Sequence, residues 1–352
     1  MTYQVLLLSN MYPSSEKPYA GVYVKNLYEG LCKLNEPEVH YHLLAMPRQY
    51  TSKIGSVIKY TKFLFGSLKY LFRKYQVVHI HFFYPLIIWG AVYKLFHPRS
   101  KLVVTCHGTD INGHFSGGLS QYFARSLSRS LDYLIAVGEE LKKTAEQKLA
   151  RTVDSVWPAG IDERTFYSSS QPEAKQYDFI FVGSFTVLKG VSELIAALKN
   201  IEEPLKLCFV GSGPLLSDIM TLSDKHDLTI KENLPQSEIA ALYKQAKFLV
   251  LPSKSEAFGL VVSEAMYCGV PAIVSAVGGL KMQVEEGRNG FFFKGVTVSS
   301  IQERLEEAML IFEGDYKRLA ECARHSNKQF SLAKVVAEHK QLYRRLLDES
   351  KT

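Results

Sequence analysis

Short apolar runs alternate with helix-length segments along nearly the whole chain, which is the pattern of βαβ units around parallel sheets. In the first half the runs Val5–Leu8, Val39–Ala45, Val77–His81, Leu102–Thr105, Tyr133–Val137 and Asp154–Trp157 read as buried strands and predict one doubly wound sheet. In the second half Phe179–Val182, Leu205–Val210, Phe248–Leu251, Ala272–Ser275 and Gly290–Phe293 predict a second sheet, with Thr229–Glu232 as a weaker edge strand. Between them Gly160–Tyr177 is polar, holds Pro172 and Ser168-Ser169-Ser170, and lacks either periodicity, so it reads as a linker with the boundary near residue 165. Ser331–Leu347 places Leu332, Val335, Val336, Leu342, Leu346 and Leu347 at helical spacing and predicts a terminal helix.

A length of 352 residues with 47% apolar and 22% charged residues fits two folded domains of an α/β protein and excludes a disordered or fibrous chain. The longest apolar stretch, Phe82–Tyr93, is broken by Pro85 and stopped by Lys94, short of the roughly 20 residues of a spanning helix. No basic leader precedes Val5, and the expected localisation is cytoplasmic. Cys32, Cys106, Cys208, Cys268 and Cys322 are odd in number and far apart, so they are expected to be reduced thiols. The net charge of +7 is unevenly placed: residues 1–160 hold 19 Lys and Arg against 10 Asp and Glu, the remainder 23 against 25.

Chemistry concentrates where a strand gives way to a helix. Pro252-Ser-Lys-Ser-Glu256-Ala-Phe258-Gly259-Leu260-Val261 follows the strand Phe248–Leu251 and opens a helix, whose first free N–H groups can hold a phosphate. Gly259 allows close backbone approach. Glu256 and Glu264, eight residues apart, can present two carboxylates on one side of that helix, and a carboxylate suits paired sugar hydroxyls. A helix cap and a solvated charge are the alternative reading of the two acids. Lys189 lies in a second strand-to-helix loop, where an anion binder belongs. His107 directly follows the strand Leu102–Thr105 in a His-Gly-Thr-Asp turn, and Asp110 reads as site residue or helix N-cap. Gly21 in the first loop can bring a helix N-terminus close to a ligand. His79 and His81 share one strand face, but no third ligand at metal spacing follows, so no metal is expected.

The Glu-x7-Glu pair in its Pro-Ser-x-x-Glu-x-Phe-Gly setting resembles the donor-binding signature of the retaining glycosyltransferases of family 4. His79-Ile-His81, Thr105-Cys-His-Gly-Thr-Asp110, Gly160-Ile-Asp162, Gly183 to Gly190, Val210-Gly-Ser-Gly-Pro214 and Gly269-Val-Pro271 to Leu280 follow in that family's order. The resemblance implies the GT-B fold: Rossmann-like domains over 1–164 (acceptor) and 165–330 (nucleotide-sugar) facing a cleft, and a terminal helix, 331–352, crossing back to the first. It implies that Glu256 contacts the transferred sugar, Glu264 the ribose, Lys189 the diphosphate, and His107 the reacting sugar without acting as a free base. Gly21, Ser184, Phe258, Gly259, Leu260 and Val261 would complete the donor site. Many members carry Arg where this chain has Ser184, so leaving-group stabilisation must come from Lys189, backbone dipoles or another cation.

The function expected is sugar transfer, retaining and metal-independent, from a nucleotide-diphosphate sugar, with UDP the commonest base in that family, to a growing surface polysaccharide or lipid-linked glycan. No cofactor beyond the co-substrate is expected. The alternative, suggested by Ser184, is a nucleotide-sugar-binding partner subunit with little transfer activity. Residues 53–74 mix lysines with Phe63, Phe65, Leu68 and Phe72 and read either as a helix docking on an anionic membrane surface or as one packed on the sheet. No nucleic-acid module is recognisable.

Overall fold

The computed structural model describes residues 2–46, 53–115, 117–168 and 174–349, without the side chains of 53, 54 and 56. Ser169, Ser170 and Pro172 of the expected linker, and the side chains of Lys53 and Ile54, lie outside the described residues. The chain divides into two units, residues 1–160 with 332–352, and residues 161–331.

In the first unit β1 (Tyr3–Ser9), β2 (Val39–Ala45), β3 (Val77–His81), β4 (Lys101–Cys106), β5 (Tyr133–Ala136) and β6 (Ser155–Val156) form a parallel sheet in the order β2-β1-β3-β4-β5-β6. The central strands are apolar and buried on both faces because helices cover both, which is why they read as continuous runs. The terminal helix Leu332–Glu349 belongs to this unit. Its apolar stripe packs on the helix Val22–Lys33, where a Cβ on Gly30 would stand 2.6 Å from Val336 Cγ2, so only glycine allows this approach. Lys340 Nζ reaches Glu36 at 2.9 Å, and the Tyr343 hydroxyl lies 2.6 Å from His79 Nδ1 on β3.

In the second unit β7 (Tyr177–Val182), β8 (Lys206–Val210), β9 (Asp227–Lys231), β10 (Ala246–Leu251), β11 (Ala272–Ser275) and β12 (Gly290–Phe293) form a parallel sheet in the order β12-β11-β10-β7-β8-β9. The weaker edge expectation at Thr229 is β9, which pairs with β8 alone and is accordingly only half-buried. Ile161 and Phe166 are buried in this unit's core, so the stretch read as linker begins inside the second unit, and the division falls at Gly160 rather than near 165.

Both sheets are doubly wound. The chain leaves β1 towards β2 on one side and continues through β3 on the other, and it does the same at β7, with β8 on one side and β10 on the other. A crevice at the carboxyl ends of the strands opens where the order reverses, between β1 and β3 and between β7 and β10.

Candidate functional site

At the β7–β10 switch two loops are fastened together by glycine. Gly190 closes the loop after β7 with φ +69°, and a Cβ there would lie 2.0 Å from the Pro252 carbonyl oxygen of the loop after β10. Lys254 N–H donates to Leu188 O at 2.9 Å across the same junction. The two loops therefore run side by side, and Lys189 forms a hydrogen-bonded ion pair with Glu256. Both side chains remain partly open to solvent, at 23% and 14% exposure, so a ligand can reach either.

Two more loops brace this pair. Phe185 N–H donates to Ser212 O at 2.9 Å, and a Cβ on Gly211 would fall 1.8 Å from Gly183 O, so the glycine loop after β8 sits directly on the loop after β7. A Cβ on Gly279 would lie 2.5 Å from Phe258 Cα, which holds the segment after β11 against the Glu256 loop. Gln283 joins them, its Nε2 donating to Phe258 O at 2.5 Å while its Oε1 accepts from Ser263 Oγ at 2.5 Å.

Gly259, at φ +85°, is the residue before the helix Leu260–Tyr267, and the first turn is closed by Val262 N–H donating to Gly259 O at 2.9 Å. The amides of Gly259, Leu260 and Val261 precede that bond and carry the positive end of the helix. Glu264, one turn in, is buried; Tyr243 OH and Gln236 Nε2 donate to its carboxylate at 3.4 Å each. Burial pushes its carboxyl up to about 7, although the two donors act in the opposite direction. Glu264 thus changes charge near neutrality, whereas Glu256 is met by a cation.

The sequence-derived residues of this unit divide plainly. Lys189, Glu256, Gly259, Leu260, Val261 and Glu264 come together at the switch. Ser184 is exposed on the loop after β7 and brings no charge. Phe258 turns its ring inward onto Phe330, centroids 5.0 Å apart, so only its backbone faces the loop junction. Gln236 and Tyr243, which hold Glu264, and Ser263 and Gln283, which brace the Phe258 backbone, were missed because no motif marks them.

At the β1–β3 switch of the first unit the surroundings are aromatic. Gly21 at φ +68° precedes the helix Val22–Lys33, and a Cβ there would meet Met11 O at 2.6 Å. His107 follows β4 and packs on Tyr23 and Phe82, with ring centroids 4.5 and 4.6 Å away, while its Nε2 lies 3.2 Å from His81 Nδ1. Burial, with His339 adding to it, drops its imidazole to about 3, so it is a neutral hydrogen-bonding group. Asp110 is a loop clamp rather than a helix N-cap: Phe83 N–H donates to one carboxylate oxygen at 2.6 Å, and His107 and Gly108 N–H to the other at 3.1 and 2.9 Å. That clamp ties the loop after β3 to the loop after β4, and with it Phe82, a bulky residue held at φ +75°.

His79 and His81 are not a ligand pair. Both His79 nitrogens are engaged, by Tyr343 and by Thr105 Oγ1 at 2.8 Å, and its ring stacks on those of His81 and His339. The thiols of Cys106, Cys208 and Cys268 are buried and pushed up, the last two to about 12, which removes them as nucleophiles at neutral pH.

Comparison with known proteins meets this geometry from outside. Residues 162–326 match the family model "Glycosyl transferases group 1", and residues 20–165 match "Glycosyltransferase Family 4". An uncharacterized glycosyltransferase of Methanocaldococcus jannaschii is 28% identical over 98% of this chain and all of its own. The N-acetyl-alpha-D-glucosaminyl L-malate synthase of Bacillus anthracis is 28% identical over 78% of this chain and 76% of its own. Among solved structures, sucrose-phosphate synthase from Thermosynechococcus elongatus superposes with a TM-score of 0.77 at 19% identity over 99% of this chain and all of its own. Anabaena HepE in complex with UDP and glucose superposes at 0.76 and 17% identity, over 97% of this chain and all of its own. A GT-B fold in two doubly wound units, with both family models matched in succession along it, places this chain among the family 4, group 1 glycosyltransferases.

Proposed function

We propose that the chain is a retaining, metal-independent glycosyltransferase that takes a sugar from a nucleotide-diphosphate sugar, most readily UDP-linked, and passes it to a growing surface polysaccharide or lipid-linked glycan. The observation that carries the reading is the Lys189–Glu256 pair at the β7–β10 switch, in the loop that leads into the helix bearing the buried carboxylate of Glu264. A lysine beside free helix amides fits a diphosphate, and two acidic side chains fit the hydroxyls on either side of it. Similar proteins support the class of donor: the Anabaena structure holds UDP and glucose, and the Bacillus anthracis relative is named for an aminosugar joined to malate. A relative from Bacillus subtilis is named for teichuronic acid biosynthesis, which supports a polymer acceptor.

In this mechanism the diphosphate draws Lys189 away from Glu256, and the released carboxylate accepts from hydroxyls of the sugar. Lys189 and the amides of Gly259 to Val261 stabilise the charge that grows on the leaving diphosphate. Glu264 binds the ribose in its ionised form. His107, neutral at working pH, is assigned to hydrogen bonding with the sugar and not to proton abstraction. The acceptor hydroxyl attacks from the leaving-group side, its proton passing to the departing diphosphate.

Slow transfer to water tests the reaction without knowledge of the acceptor. Incubated with UDP-sugars, the protein should release UDP, and proton NMR should first show the sugar with the donor's own anomeric configuration. The inverted anomer would refute retention. No release with any donor, in the presence of binding, would favour the partner-subunit reading, which the uncharged Ser184 suggests.

A further inference from the structure

The helix Lys53–Leu71 has an apolar face wider than the one it buries, with Lys59, Lys62 and Lys69 on the remaining side. Tyr60, Phe63, Ser67 and Leu71 face the unit, but Val57, Leu64, Phe65, Leu68 and the following Phe72 face solvent, Phe65 and Phe72 at 70% and 71% exposure. Apolar side chains in excess of those a helix buries on its own domain are ordinarily covered by something else. The helix Leu86–Phe96 adds to this surface: Leu95 is 81% exposed, and Phe96 lies against Phe72 with ring centroids 5.8 Å apart.

Between the two helices a cavity of about 600 Å³ opens. Tyr60, Phe63, Leu64, Ile88, Trp89 and Val92 form its walls, and Asn10, Thr109 and Asp110 its polar end, where Phe82 separates it from His107. This is the size range of ligand pockets, roughly 300–1,000 Å³. The segment that forms most of its walls is basic: no acidic residue stands between Glu38 and Asp110, whereas Lys59, Lys62, Lys69, Arg73 and Lys74 do. Lys62, Lys69, Arg73 and Lys74 are exposed among the apolar side chains, and Lys59 Nζ donates to Asn10 O at 2.5 Å beside the cavity.

We propose that this cavity seats a hydrocarbon chain of an anionic lipid, with the surrounding lysines and arginine meeting the phosphate-bearing headgroups. Apolar walls take the chain, and the excess of basic side chains around the opening, with Asp110 taken up by three backbone N–H groups, favours an anionic interface over a protein surface. That the lipid is the glycosyl acceptor rests on the transferase reading; that a chain enters the cavity does not.

The chain has two tryptophans, and Trp89 lines the cavity, its Nε1 bonded to Ser67 Oγ at 3.1 Å and its ring stacked on Tyr93. In a Trp157→Phe variant of the full chain, emission reports Trp89 alone. Phosphatidylglycerol vesicles with dibrominated acyl chains should quench it by at least half. The same vesicles without bromine, and brominated phosphatidylcholine, should leave it nearly unchanged. Val92→Phe, which fills the wall at a partly exposed site, should cut the quenching at least threefold while vesicle co-sedimentation persists. Co-sedimentation without quenching would overturn the proposal in favour of surface docking alone, and no binding to any vesicle would assign the patch to a protein or a second copy. Equal quenching by phosphatidylcholine would overturn the anionic class, and undiminished quenching in Val92→Phe would place the chain elsewhere. None of these readings uses nucleotide, so they fail or stand independently of the donor site.

Discussion

The two crevices share a topology and differ in chemistry. Each lies at the switch point of a doubly wound parallel sheet, yet the β7–β10 crevice is ringed by glycines that bring four loops into contact around a lysine and two acids. The β1–β3 crevice instead surrounds one neutral histidine with Tyr23 and Phe82 and adjoins an apolar cavity. A topological switch thus supplies a place for a ligand but not its charge. The side chains at the loop ends decide that, ionic in the second unit and aromatic in the first.

The largest expected effect breaks the ionic crevice. Glu256→Gln keeps the shape of the side chain but cannot pair with Lys189 as an anion, and it should lower transfer or donor hydrolysis by about 10³-fold, with thermal unfolding unchanged. Near-normal turnover would remove Glu256 from the site.

Acid should separate the units next. His339 is buried against His79 and Trp157, and its imidazole is dropped to about 4, by burial foremost. A histidine with a folded value below its ordinary 6.5 binds protons more readily when unfolded. Its contribution is therefore full above about 6.5, declines as the pH falls, and levels off near 4, at a total of roughly 3 kcal/mol. Urea unfolding at pH 7.5 and pH 4.5 should show the first unit losing more stability than the second, and His339→Leu should remove only its own share of that difference, because burial also holds His79, His81 and His107 neutral. Equal losses would contradict the neutral histidine stack.

A smaller effect concerns Glu264. Because burial holds its carboxyl near 7, the ionised acceptor gains population as the pH rises from 6 to 8, and the donor KM should fall across that range. Glu264→Gln should raise KM about tenfold at pH 8, leave kcat nearly intact and abolish the pH trend. A trend that survives the substitution belongs to another group. The smallest expected change is a gain: Ser184→Arg, at an exposed position, should improve kcat/KM only a few-fold, since exposed charge pairs contribute about 1 kcal/mol or less.

The strands were legible because parallel sheets bury both faces, and apolar runs such as Val77–His81 and Ala272–Ser275 match observed strands end for end. Terminal residues were less so: Asp154–Trp157 shortens to Ser155–Val156, as only two residues pair with β5. Lys189, Glu256 and Glu264 could be read because loops after strands and the helix that follows occupy fixed places. Asp110 was read as a site residue or a cap because its position fits both; its three backbone partners come from two loops, one of them 27 residues away along the chain, which spacing cannot reveal. The outward face of Lys53–Leu71 was legible only as one of two readings, since an apolar arc this wide does not say which part of it the sheet covers.

Thermal unfolding with UDP, GDP, ADP and their sugar conjugates tests the central claim most directly, that the β7–β10 crevice binds a nucleotide diphosphate. At 100 times its dissociation constant a ligand adds about 2.7 kcal/mol, which for a unit of this size raises the midpoint by roughly 5–10 °C. The account predicts such a rise with a uridine diphosphate, confined to one unfolding step and halved by Glu264→Gln. No rise with any nucleotide, or one that Glu264→Gln and Lys189→Ala leave intact, would contradict it.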